Sequence, residues 1–585
     1  MNARTLSGAA IAAALAIAAC SSDPADGDGD ASGPPGSRPA AATTADARPG
    51  PSRIELVDMA ADVGLDFRHG AFHWGVTPEP AAMQGAGVCW LDYDADGWLD
   101  LYAVNSYAAR EAGRWEEAGG LPRSALFHNV EGAFVDVSDG SGADLAMQGN
   151  GCVAADFDLD GHTDLYVTGA QRAQLLWNEG DGTFTEGAEG AEEAGAPAMG
   201  WYAGAAVGDV DGNGWPDLFV AGYANLGSPI EGATQGFPNT RTGVRDLLYL
   251  NRGRTDGGRV SFREVGMTAG LEVANFEYGL GALFSDPDGD GDLDLYVAND
   301  TKPDRLYDNV GWPGGADADP AGLGFRFEEL AGRAGVADPG AGMGVAGADY
   351  DADGREDLFV TNARGQVHGA FRGEESDLVD PSFVDVRGDL GIDLGGATGW
   401  GVTWADLDLD TDLDLVVANG DIPVTDLAAD AEPLQVFGNL EAQESRALYE
   451  DVGAAAGLAE VGPLLARGSA IADYDNDGDL DVAVGTIGGP LVLLENRAAS
   501  GSWLAVALDG FFPGAVVTVS LADGRELTRE VQAGSSYLSS EDPRAHFGLG
   551  DAAEVSKLVV AWPGGEETVL EDVAANRILV VEPPE

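Results

Sequence analysis

The sequence predicts an all-β protein, in which a seven-bladed β-propeller precedes a small C-terminal β-sandwich. Three observations carry this prediction. An acidic nine-residue loop recurs seven times, a glycine stands five residues before each copy, and the residues from about 499 onward break the repeat.

The acidic loop follows the pattern D-x-D-x-D/N-G-x-x-D. Its copies, called loops 1 to 7 in chain order, begin at Asp92, Asp156, Asp209, Asp286, Asp349, Asp406 and Asp473. The starts lie 53 to 77 residues apart. A repeat of this length is typical of an array of supersecondary units rather than of one ordinary domain.

The spacing within each loop suits a hard cation. Side-chain oxygens at positions 1, 3, 5 and 9 and the carbonyl of position 7 can surround one ion, and the glycine at position 6 permits the sharp turn. Six to eight oxygens in flexible geometry favour Ca²⁺ over Mg²⁺. We therefore expect up to seven Ca²⁺ ions, mainly structural. The residues assigned to these sites are Asp92, Asp94, Asp96, Trp98 and Asp100; Asp156, Asp158, Asp160, His162 and Asp164; Asp209, Asp211, Asn213, Trp215 and Asp217; Asp286, Asp288, Asp290, Asp292 and Asp294; Asp349, Asp351, Asp353, Arg355 and Asp357; Asp406, Asp408, Asp410, Asp412 and Asp414; and Asp473, Asp475, Asp477, Asp479 and Asp481.

Two loops depart from the pattern. Asn213 stands at position 5 of loop 3 and still offers an oxygen, so that site is expected to survive with less charge. Thr411 replaces the glycine of loop 6. Because a β-branched residue tolerates positive φ poorly, we expect loop 6 to be distorted or weakly occupied.

The loops are not EF-hands. An EF-hand needs a glutamate at position 12 and a helix on each side, whereas position 12 here is an alanine or a valine. These residues alternate with leucine or valine two places earlier, which predicts a strand after each loop. A second strand precedes each loop and contains the glycines Gly87, Gly151, Gly204, Gly281, Gly344, Gly401 and Gly468. Glycine within a strand marks close backbone approach, as expected where the inner strands of a closed ring converge.

The order G-x-G, acidic loop and L-Y-V-A-N resembles the FG-GAP/VCBS repeat. The resemblance covers about three quarters of the chain and implies a seven-bladed propeller like the head of integrin α subunits. We place this propeller at residues 53–498, with blade one starting near Ile54. Long connections at 106–123, 224–245, 311–324 and 420–446 interrupt the repeat, and such loops usually carry function.

Residues 499–585 are predicted to form the sandwich, because four apolar strands are separated by Gly, Asp and Pro turns. The run from Gly534 to Gly550 and the later Trp562-Pro-Gly-Gly resemble the ASPIC/UnbV domain. Its union with an FG-GAP propeller is the arrangement of the cartilage acidic protein-like family. That family implies an architecture but no general activity.

The N-terminus predicts export. Residues 1–20 combine a basic start, a short apolar run and small residues, as in a signal peptide. Ile17-Ala-Ala-Cys20 resembles the bacterial lipobox, which implies diacylation of Cys20; the alternative is an ordinary signal peptide with an incidental cysteine. Residues 21–52, rich in Asp, Gly, Pro, Ala and Ser, predict a flexible linker. We expect a cell-envelope lipoprotein at the outer membrane or cell surface, or otherwise a secreted protein.

Charge excludes several partners. The chain has 31 basic and 99 acidic residues, a net charge of −68, and seven divalent ions would leave −54. Nucleic acid binding depends on Lys and Arg, so no nucleic acid partner is expected. Attraction to an anionic membrane surface is excluded for the same reason, which leaves the lipid anchor as the only membrane contact.

A candidate ligand face lies at the predicted channel mouth opposite the loops. Its residues are Trp74, Gln84, Gln148, Trp201, Tyr202, Tyr278, Trp400 and Arg467. Indoles, phenols and amides are able to stack on and hydrogen-bond a sugar or peptide; the alternative is that these residues only plug the channel. Cys89 and Cys152, on the inner strands of adjacent blades, form either a disulfide or two buried free thiols.

No catalytic constellation is evident in the sequence. His69 and His73 are predicted to be ordinary surface residues, and the acidic pairs are already explained by the loops. The resulting prediction is a non-enzymatic binding or adhesion protein with a carbohydrate or protein ligand. A secreted calcium-dependent polysaccharide lyase or hydrolase is the main alternative, and a purely structural spacer is a third.

Overall fold

The computed structural model describes residues 54–187, 198–254, 259–271, 277–376, 378–440, 448–497 and 501–584. The predicted signal peptide, Cys20 and the predicted linker lie outside these residues. In the described part β-strands far outnumber helices among the regular elements, and the all-β prediction is confirmed.

Seven antiparallel sheets follow one another along the chain after strand β1 (Leu56–Asp58). Sheet 1 contains β2 (Val88–Leu91), β3 (Asp100–Ala103), β4 (Ala125–Val130) and β5 (Ala133–Asp136). Sheet 2 contains β6 (Gly149–Ala155), β7 (Asp164–Gly169), β8 (Arg172–Asn178) and β9 (Phe184–Glu186), with β10 (Ala198–Met199) also paired to β8. Sheet 3 contains β11 (Tyr202–Gly208) and β12 (Asp217–Gly222), then β15 (Leu247–Arg254) and β16 (Val260–Glu264), and a separate hairpin of β13 (Ala224–Pro229) and β14 (Arg241–Gly243) precedes β15.

The remaining sheets repeat the plan. Sheet 4 contains β17 (Gly279–Ser285), β18 (Asp294–Asn299), β19 (Arg305–Gly311) and β20 (Phe325–Glu329). Sheet 5 contains β21 (Val345–Ala348), β22 (Asp357–Val360), β23 (Gly369–Gly373) and β24 (Phe383–Asp385). Sheet 6 contains β25 (Gly399–Ala405), β26 (Asp414–Asn419), β27 (Gln435–Asn439) and β28 (Tyr449–Asp451). Sheet 7 contains β29 (Ala466–Ala472), β30 (Asp481–Thr486) and β31 (Val492–Asn496).

Each acidic loop joins the first two strands of its sheet. The first strands contact one another in the series β2, β6, β11, β17, β21, β25 and β29, and β29 contacts β2 in turn. We interpret this series as a closed ring of seven blades. Most of the core lies between neighbouring sheets, as where Phe219 of sheet 3 meets Phe284 of sheet 4.

The predicted start of blade one near Ile54 is wrong. Strand β1 pairs with β31, with Leu56 opposite Asn496. Strand β1 is therefore the outer strand of sheet 7. The residues preceding the first inner strand thus complete the last sheet. This pairing joins the start of the repeat region to its end.

Helices are few and short in the described residues. They are α1 (Ala112–Ala118), α2 (Gly266–Ala269), α3 (Ala331–Ala334) and α4 (Leu458–Val461), with 3₁₀ turns at Pro80–Ala82 and Ala109–Glu111.

The C-terminal region is a two-sheet sandwich. Its strands are β32 (Ser502–Leu508), β33 (Val516–Ser520), β34 (Glu526–Glu530), β35 (Ala545–Gly550), β36 (Glu554–Ala561), β37 (Glu567–Ala574) and β38 (Arg577–Val581). One sheet has the order β35-β32-β38 and the other β34-β33-β36-β37. Buried side chains such as Val519, Phe547 and Trp562 form the core between them.

Residues 533–542, between β34 and β35, leave the sandwich and enter the ring; we call this segment the plug. Its backbone bonds to the inner strands of several sheets. The N–H of Val207 donates to the Ala533 carbonyl at 2.9 Å, the N–H of Cys152 to the Leu538 carbonyl at 3.2 Å, and the N–H of Asp542 to the Ile471 carbonyl at 2.9 Å. The plug therefore satisfies backbone groups that inner strands would otherwise leave open in a central channel.

The inner-strand glycines make this insertion sterically feasible. A Cβ at Gly87 would lie 2.0 Å from the Leu538 carbonyl oxygen, and one at Gly151 would lie 2.6 Å from the Leu538 side chain. At Gly204 the obstacle is the neighbouring inner strand, at the Leu280 carbonyl oxygen 2.3 Å away. The glycines serve the predicted convergence of the strands and also accommodate the plug.

Cys89 of β2 and Cys152 of β6 form a disulfide in the structure. It joins the inner strands of sheets 1 and 2 beside the plug.

Candidate metal centre and binding surfaces

The seven loops share one hydrogen-bond pattern. In loop 1, Asp92 accepts the N–H of Asp96 at 3.1 Å on one oxygen and that of Gly97 at 2.9 Å on the other. Asp96 accepts the N–H of Trp98 at 2.9 Å. The bond from position 5 to position 1 recurs in all seven loops. Backbone amides thus turn the position 1 carboxylate inward and wrap the chain around it.

The position 9 aspartate, which is the first residue of the following strand, closes each loop. In loop 1, Asp100 accepts the N–H of Tyr93 at 3.1 Å and that of Asn129 at 2.7 Å. The equivalent amide in the third strand of every other sheet also donates to the position 9 carboxylate. An asparagine in the third strand therefore supplies this donor in six sheets, with Gly373 in its place in sheet 5.

The asparagine side chains also tie neighbouring loops together. Nδ2 of Asn178 donates to the Tyr93 carbonyl of loop 1 at 2.7 Å and to the Thr163 carbonyl of loop 2 at 3.1 Å. Nδ2 of Asn496 likewise reaches the Leu407 carbonyl of loop 6 at 2.7 Å.

Position 4 of every loop has a left-handed backbone, which the sequence analysis missed. These residues are Ala95, Leu159, Gly212, Gly289, Ala352, Leu409 and Asn476, with φ between +50° and +71°. The sequence indicates this conformation only weakly, since among the seven residues only the two glycines and the asparagine favour positive φ.

The expectation of a distorted loop 6 is wrong. Thr411 has φ +95°, within the range of the glycines at position 6, and its N–H donates to Asp406 at 2.8 Å. Its hydroxyl accepts a hydrogen bond from Arg525 of the sandwich. The loop keeps the shared geometry because both the Asp406 carboxylate and the C-terminal domain hold Thr411 in place.

The loops bring together carboxylates that are able to hold a metal ion. In loops 1 to 4, three carboxylate oxygens lie within 4.8 Å of one another, as in Asp209, Asp211 and Asp217. Several carboxylate oxygens of the seven loops are buried without a hydrogen-bond partner among the described residues, including Oδ2 of Asp294 in loop 4 and of Asp481 in loop 7. An unpaired buried carboxylate oxygen is costly. The donor set of hard oxygens therefore fits a hard divalent cation.

Burial dominates the electrostatics of position 9. It raises the pKa of Asp100 to about 7 and that of Asp294 to about 9. The pKa values of Asp217 and Asp481 are also raised well above the ordinary range, first by burial and then by neighbouring carboxylates. A bound cation would offset both effects by favouring the ionised form.

His128 is a neighbour of loop 1 that sequence reasoning did not single out. Its Nδ1 lies 3.1 Å from Asp100 and 3.5 Å from Asp94. These three residues form another group able to hold a metal. His128 immediately precedes Asn129, whose N–H donates to Asp100, and this position is the sequence feature that could have identified it.

The predicted ligand face is mostly closed, which corrects the expectation of an open channel mouth. Seven of its residues are buried: Gln84, Gln148, Trp201, Tyr202, Tyr278, Trp400 and Arg467. The plug explains the closure, because the Tyr537 ring packs edge-on against Trp400 at 4.9 Å between centroids. The Arg467 guanidinium lies 4.0 Å from the centre of the Trp400 ring and donates to the carbonyls of Met83 and Gly420. These residues cap and plug the channel, as the alternative interpretation held.

Two surfaces remain accessible near this face. Trp74 is 38% exposed and packs with His73 and Trp115 at centroid distances of 4.8 and 4.5 Å. A groove of about 570 Å³ lies between sheets 2 and 3. Met199, which is 75% exposed, and Leu226 line it beside the inward-facing Trp201 and Tyr202.

His69 is not the surface residue that the sequence predicts. It is buried, and its Nδ1 accepts the N–H groups of Ala71 and Gly488, each at 3.3 Å. Burial lowers its pKa to about 3. His73 is exposed, as predicted.

Among the residues that the structure describes, no helix has the length and apolar character needed to cross a membrane.

Comparison with known proteins bears on both parts of the chain. Residues 509–585 match the family described as ASPIC and UnbV, and residues 92–167 and 156–220 match the FG-GAP-like repeat. Cartilage acidic protein 1 of Mus musculus is 26% identical over 451 residues, which are 72% of this chain and 62% of the relative. The Homo sapiens protein of the same name is 26% identical over 463 residues, covering 74% of this chain and 62% of the relative.

This chain therefore spans about 62% of the length of these relatives. Among solved structures, rhamnogalacturonan lyase YesW aligns with a TM-score of 0.36 at 12% identity, over 77% of this chain and 76% of that one. The family resemblance seen in the sequence is confirmed: residues 92–220 match the FG-GAP-like repeat, residues 509–585 match the ASPIC and UnbV family, and the chain is similar to cartilage acidic protein 1.

Proposed function

We propose that this chain is an exported, calcium-binding, non-enzymatic binding or adhesion protein that recognises a carbohydrate or protein ligand. The observation that carries the calcium assignment is the buried, unpartnered carboxylate oxygen at position 9, found at Asp294 and Asp481. The likeness to cartilage acidic protein 1 supports a binding role. Export and lipidation at Cys20 remain proposals from the N-terminal sequence.

The calcium ions would act mainly on stability. Position 1, 3, 5 and 9 carboxylates would hold each ion together with the position 7 carbonyl, and the ion supplies positive charge that offsets their repulsion. The chain itself contributes the preorganisation, since backbone amides already orient Asp92 and its counterparts. Metal binding to such sites stabilises the folded state over the unfolded chain.

Calorimetric titration of the metal-stripped protein tests this assignment. We expect Ca²⁺ to bind at several sites and to raise the melting temperature, with excess EDTA reversing the effect. Mg²⁺ at the same concentration should stabilise less. An unchanged melting curve in EDTA, with no heat of calcium binding, would refute the calcium part of the proposal.

The groove between sheets 2 and 3 is the ligand site we propose on the face opposite the loops. Its Met199 and Leu226 are exposed apolar side chains, which suit an apolar sugar face or a peptide side chain. The exposed Trp74, packed on Trp115, offers a second aromatic surface near this face.

A glycan array and a peptide array on the mature protein in calcium provide the test. We expect a hit whose binding falls in the Met199→Ala and Trp74→Ala variants but persists in Val569→Ala, an exposed apolar residue of the sandwich. Binding without any shortened or unsaturated sugar would support a non-enzymatic role. No hit on either array would favour a structural spacer instead.

A further inference from the structure

A cleft of about 680 Å³ separates loops 1 to 3 from the C-terminal sandwich. One wall consists of the loop tips, including Leu159 and Trp215, and the other of residues 507–513. This cleft lies on the loop side of the ring, away from the groove proposed above, and the inference drawn from it does not depend on that groove.

The cleft exists because the sandwich sits off-centre on the loops. It is fastened to loops 6 and 7: the N–H of Gly550 donates to the Leu409 carbonyl at 2.9 Å, His546 bonds to the Gly478 carbonyl at 2.9 Å, and Arg544 donates to the Asp473 carbonyl at 2.7 Å. Phe511 and Trp215 also pack against the core shared by sheets 2 and 3. These contacts hold the two walls at a defined separation.

The charge on the cleft is negative. Asp92, Asp156, Asp160 and Asp209 line one wall and Asp509 the other. Three divalent ions would leave the carboxylates of loops 1 to 3 in excess, because these loops have four, four and three aspartates at ligand positions.

The basic residue that lines the cleft does not offset this excess. The Arg544 guanidinium is bonded to Asp542 at 2.6 Å and to the Asn476 side chain at 2.7 Å, besides the Asp473 carbonyl. Its charge is thus balanced outside the cleft. The negative potential persists with the metal sites filled or empty.

Apolar surface lies beside these carboxylates. Leu508, Phe511, Phe512 and Pro563 line the wall formed by the sandwich, opposite Trp215. Aromatic faces attract cations, and aliphatic stems of Lys and Arg pack on apolar surface while their charged ends reach carboxylates. A neutral or anionic glycan would gain nothing from the negative charge.

We propose that this cleft binds a lysine- or arginine-containing peptide segment of a partner protein. The cationic ends would pair with Asp509 and lie in the negative potential of loops 1 to 3, and the side-chain stems would lie on Phe511 and Trp215. The combination of a volume suited to a few side chains, negative charge and aromatic walls matches this class of ligand better than any other.

Fluorescence anisotropy with a labelled peptide of alternating arginine and leucine tests the proposal, in calcium buffer at an ionic strength of ~0.15 M that screens long-range attraction. A glutamate-leucine peptide is the negative control. We expect saturable binding of the basic peptide, weakened about tenfold by Phe511→Ala, the loss typical of an aromatic anchor. Met267→Ala, which truncates an exposed apolar side chain elsewhere, should bind as the wild type does.

A charge-matched pair separates specific from general attraction. Asp509→Asn and Asp139→Asn remove the same charge from exposed positions, but only the first should weaken binding, by severalfold. The proposal is overturned if both weaken binding equally, if Phe511→Ala binds as the wild type does while its melting temperature is unchanged, or if the basic peptide does not bind. It is also overturned if Phe511→Ala abolishes binding of a glycan while no basic peptide binds.

Discussion

Replacing Tyr537 measures how much the plug stabilises the ring. Tyr537 is fully buried, and its ring contacts Trp400 within a cluster that also contains Trp201 and Tyr278. Truncating a buried aromatic side chain to alanine usually costs about 3–5 kcal/mol, from lost apolar burial and the cavity left behind. We expect Tyr537→Ala to lower the free energy of unfolding by that amount.

Tyr537→Phe is the matched control, because it keeps the ring and removes only the hydroxyl. That hydroxyl is buried and has no hydrogen-bond partner among the described residues. Burying an unpaired polar group costs about 1–3 kcal/mol, so the phenylalanine variant should be at least as stable as the wild type. The two substitutions at one site are therefore expected to shift stability in opposite directions, or one strongly and the other hardly at all.

Urea unfolding in excess calcium, followed by circular dichroism and tryptophan fluorescence, gives both free energies; unfolding rates replace them if the transition is irreversible. Equal destabilisation by Phe and Ala would show that the hydroxyl has a partner and would refute the reasoning. A loss below about 1 kcal/mol in Tyr537→Ala would refute the packed plug, since a burial of this kind cannot be so weak.

Four further predictions concern other parts of the molecule. Asp294→Asn should melt lower than the wild type in calcium, because it removes a ligand, and calcium titration would show one site fewer. In EDTA it should melt higher, because burial raises the pKa of Asp294 to about 9 and the metal-free fold of the wild type must take up a proton that the unfolded chain releases at neutral pH. Thr411→Gly and Thr411→Ala both remove the hydroxyl that accepts a bond from Arg525, but only glycine relieves the left-handed backbone, so the glycine variant should be more stable than the alanine variant by about 1 kcal/mol, as measured by urea midpoint, and equal stability would refute the strain. His368 is buried with its pKa lowered to about 4, so the unfolded chain binds its proton first; stability should fall as pH drops from about 6.5 towards 4, and His368→Gln should flatten that fall. Reducing the Cys89–Cys152 disulfide, which spans 63 residues, should cost about 2–4 kcal/mol, with Cys89→Ser as a reductant-insensitive control.

The sequence was sufficient to predict the local features. The loops, their flanking strands and the inner glycines follow from a pattern in which every residue contacts chain neighbours. The bonds that the third-strand asparagines make to the preceding sheet, as from Asn178 to Tyr93, join residues far apart in the chain and do not follow from that pattern. Because the pattern recurs seven times, these short-range features can be recognised in the sequence.

Long-range contacts explain what the sequence did not predict. The residue pattern of β1 suits an outer strand of either sheet 1 or sheet 7. Its position therefore depends on how the start of the repeat region pairs with its end. Trp201 and Trp400 were placed correctly at the channel, but their burial depends on Tyr537, more than a hundred residues away. The plug has no counterpart in the repeat, and nothing in its composition indicates that it inserts into the ring of sheets.

The plug also links the C-terminal domain to the metal loops. Arg544 follows the plug directly and bonds to the Asp473 carbonyl of loop 7, while Asp542 bonds to the strand before that loop. Any ion that orders loop 7 therefore orders the anchor of the plug, and the plug in turn holds the inner strands of several sheets. Because the domain is hydrogen-bonded to loops 6 and 7 while the cleft separates it from the tips of loops 1 to 3, calcium at the former sites would stabilise the junction of the two domains. At the latter sites, calcium would instead shape one wall of the acidic cleft.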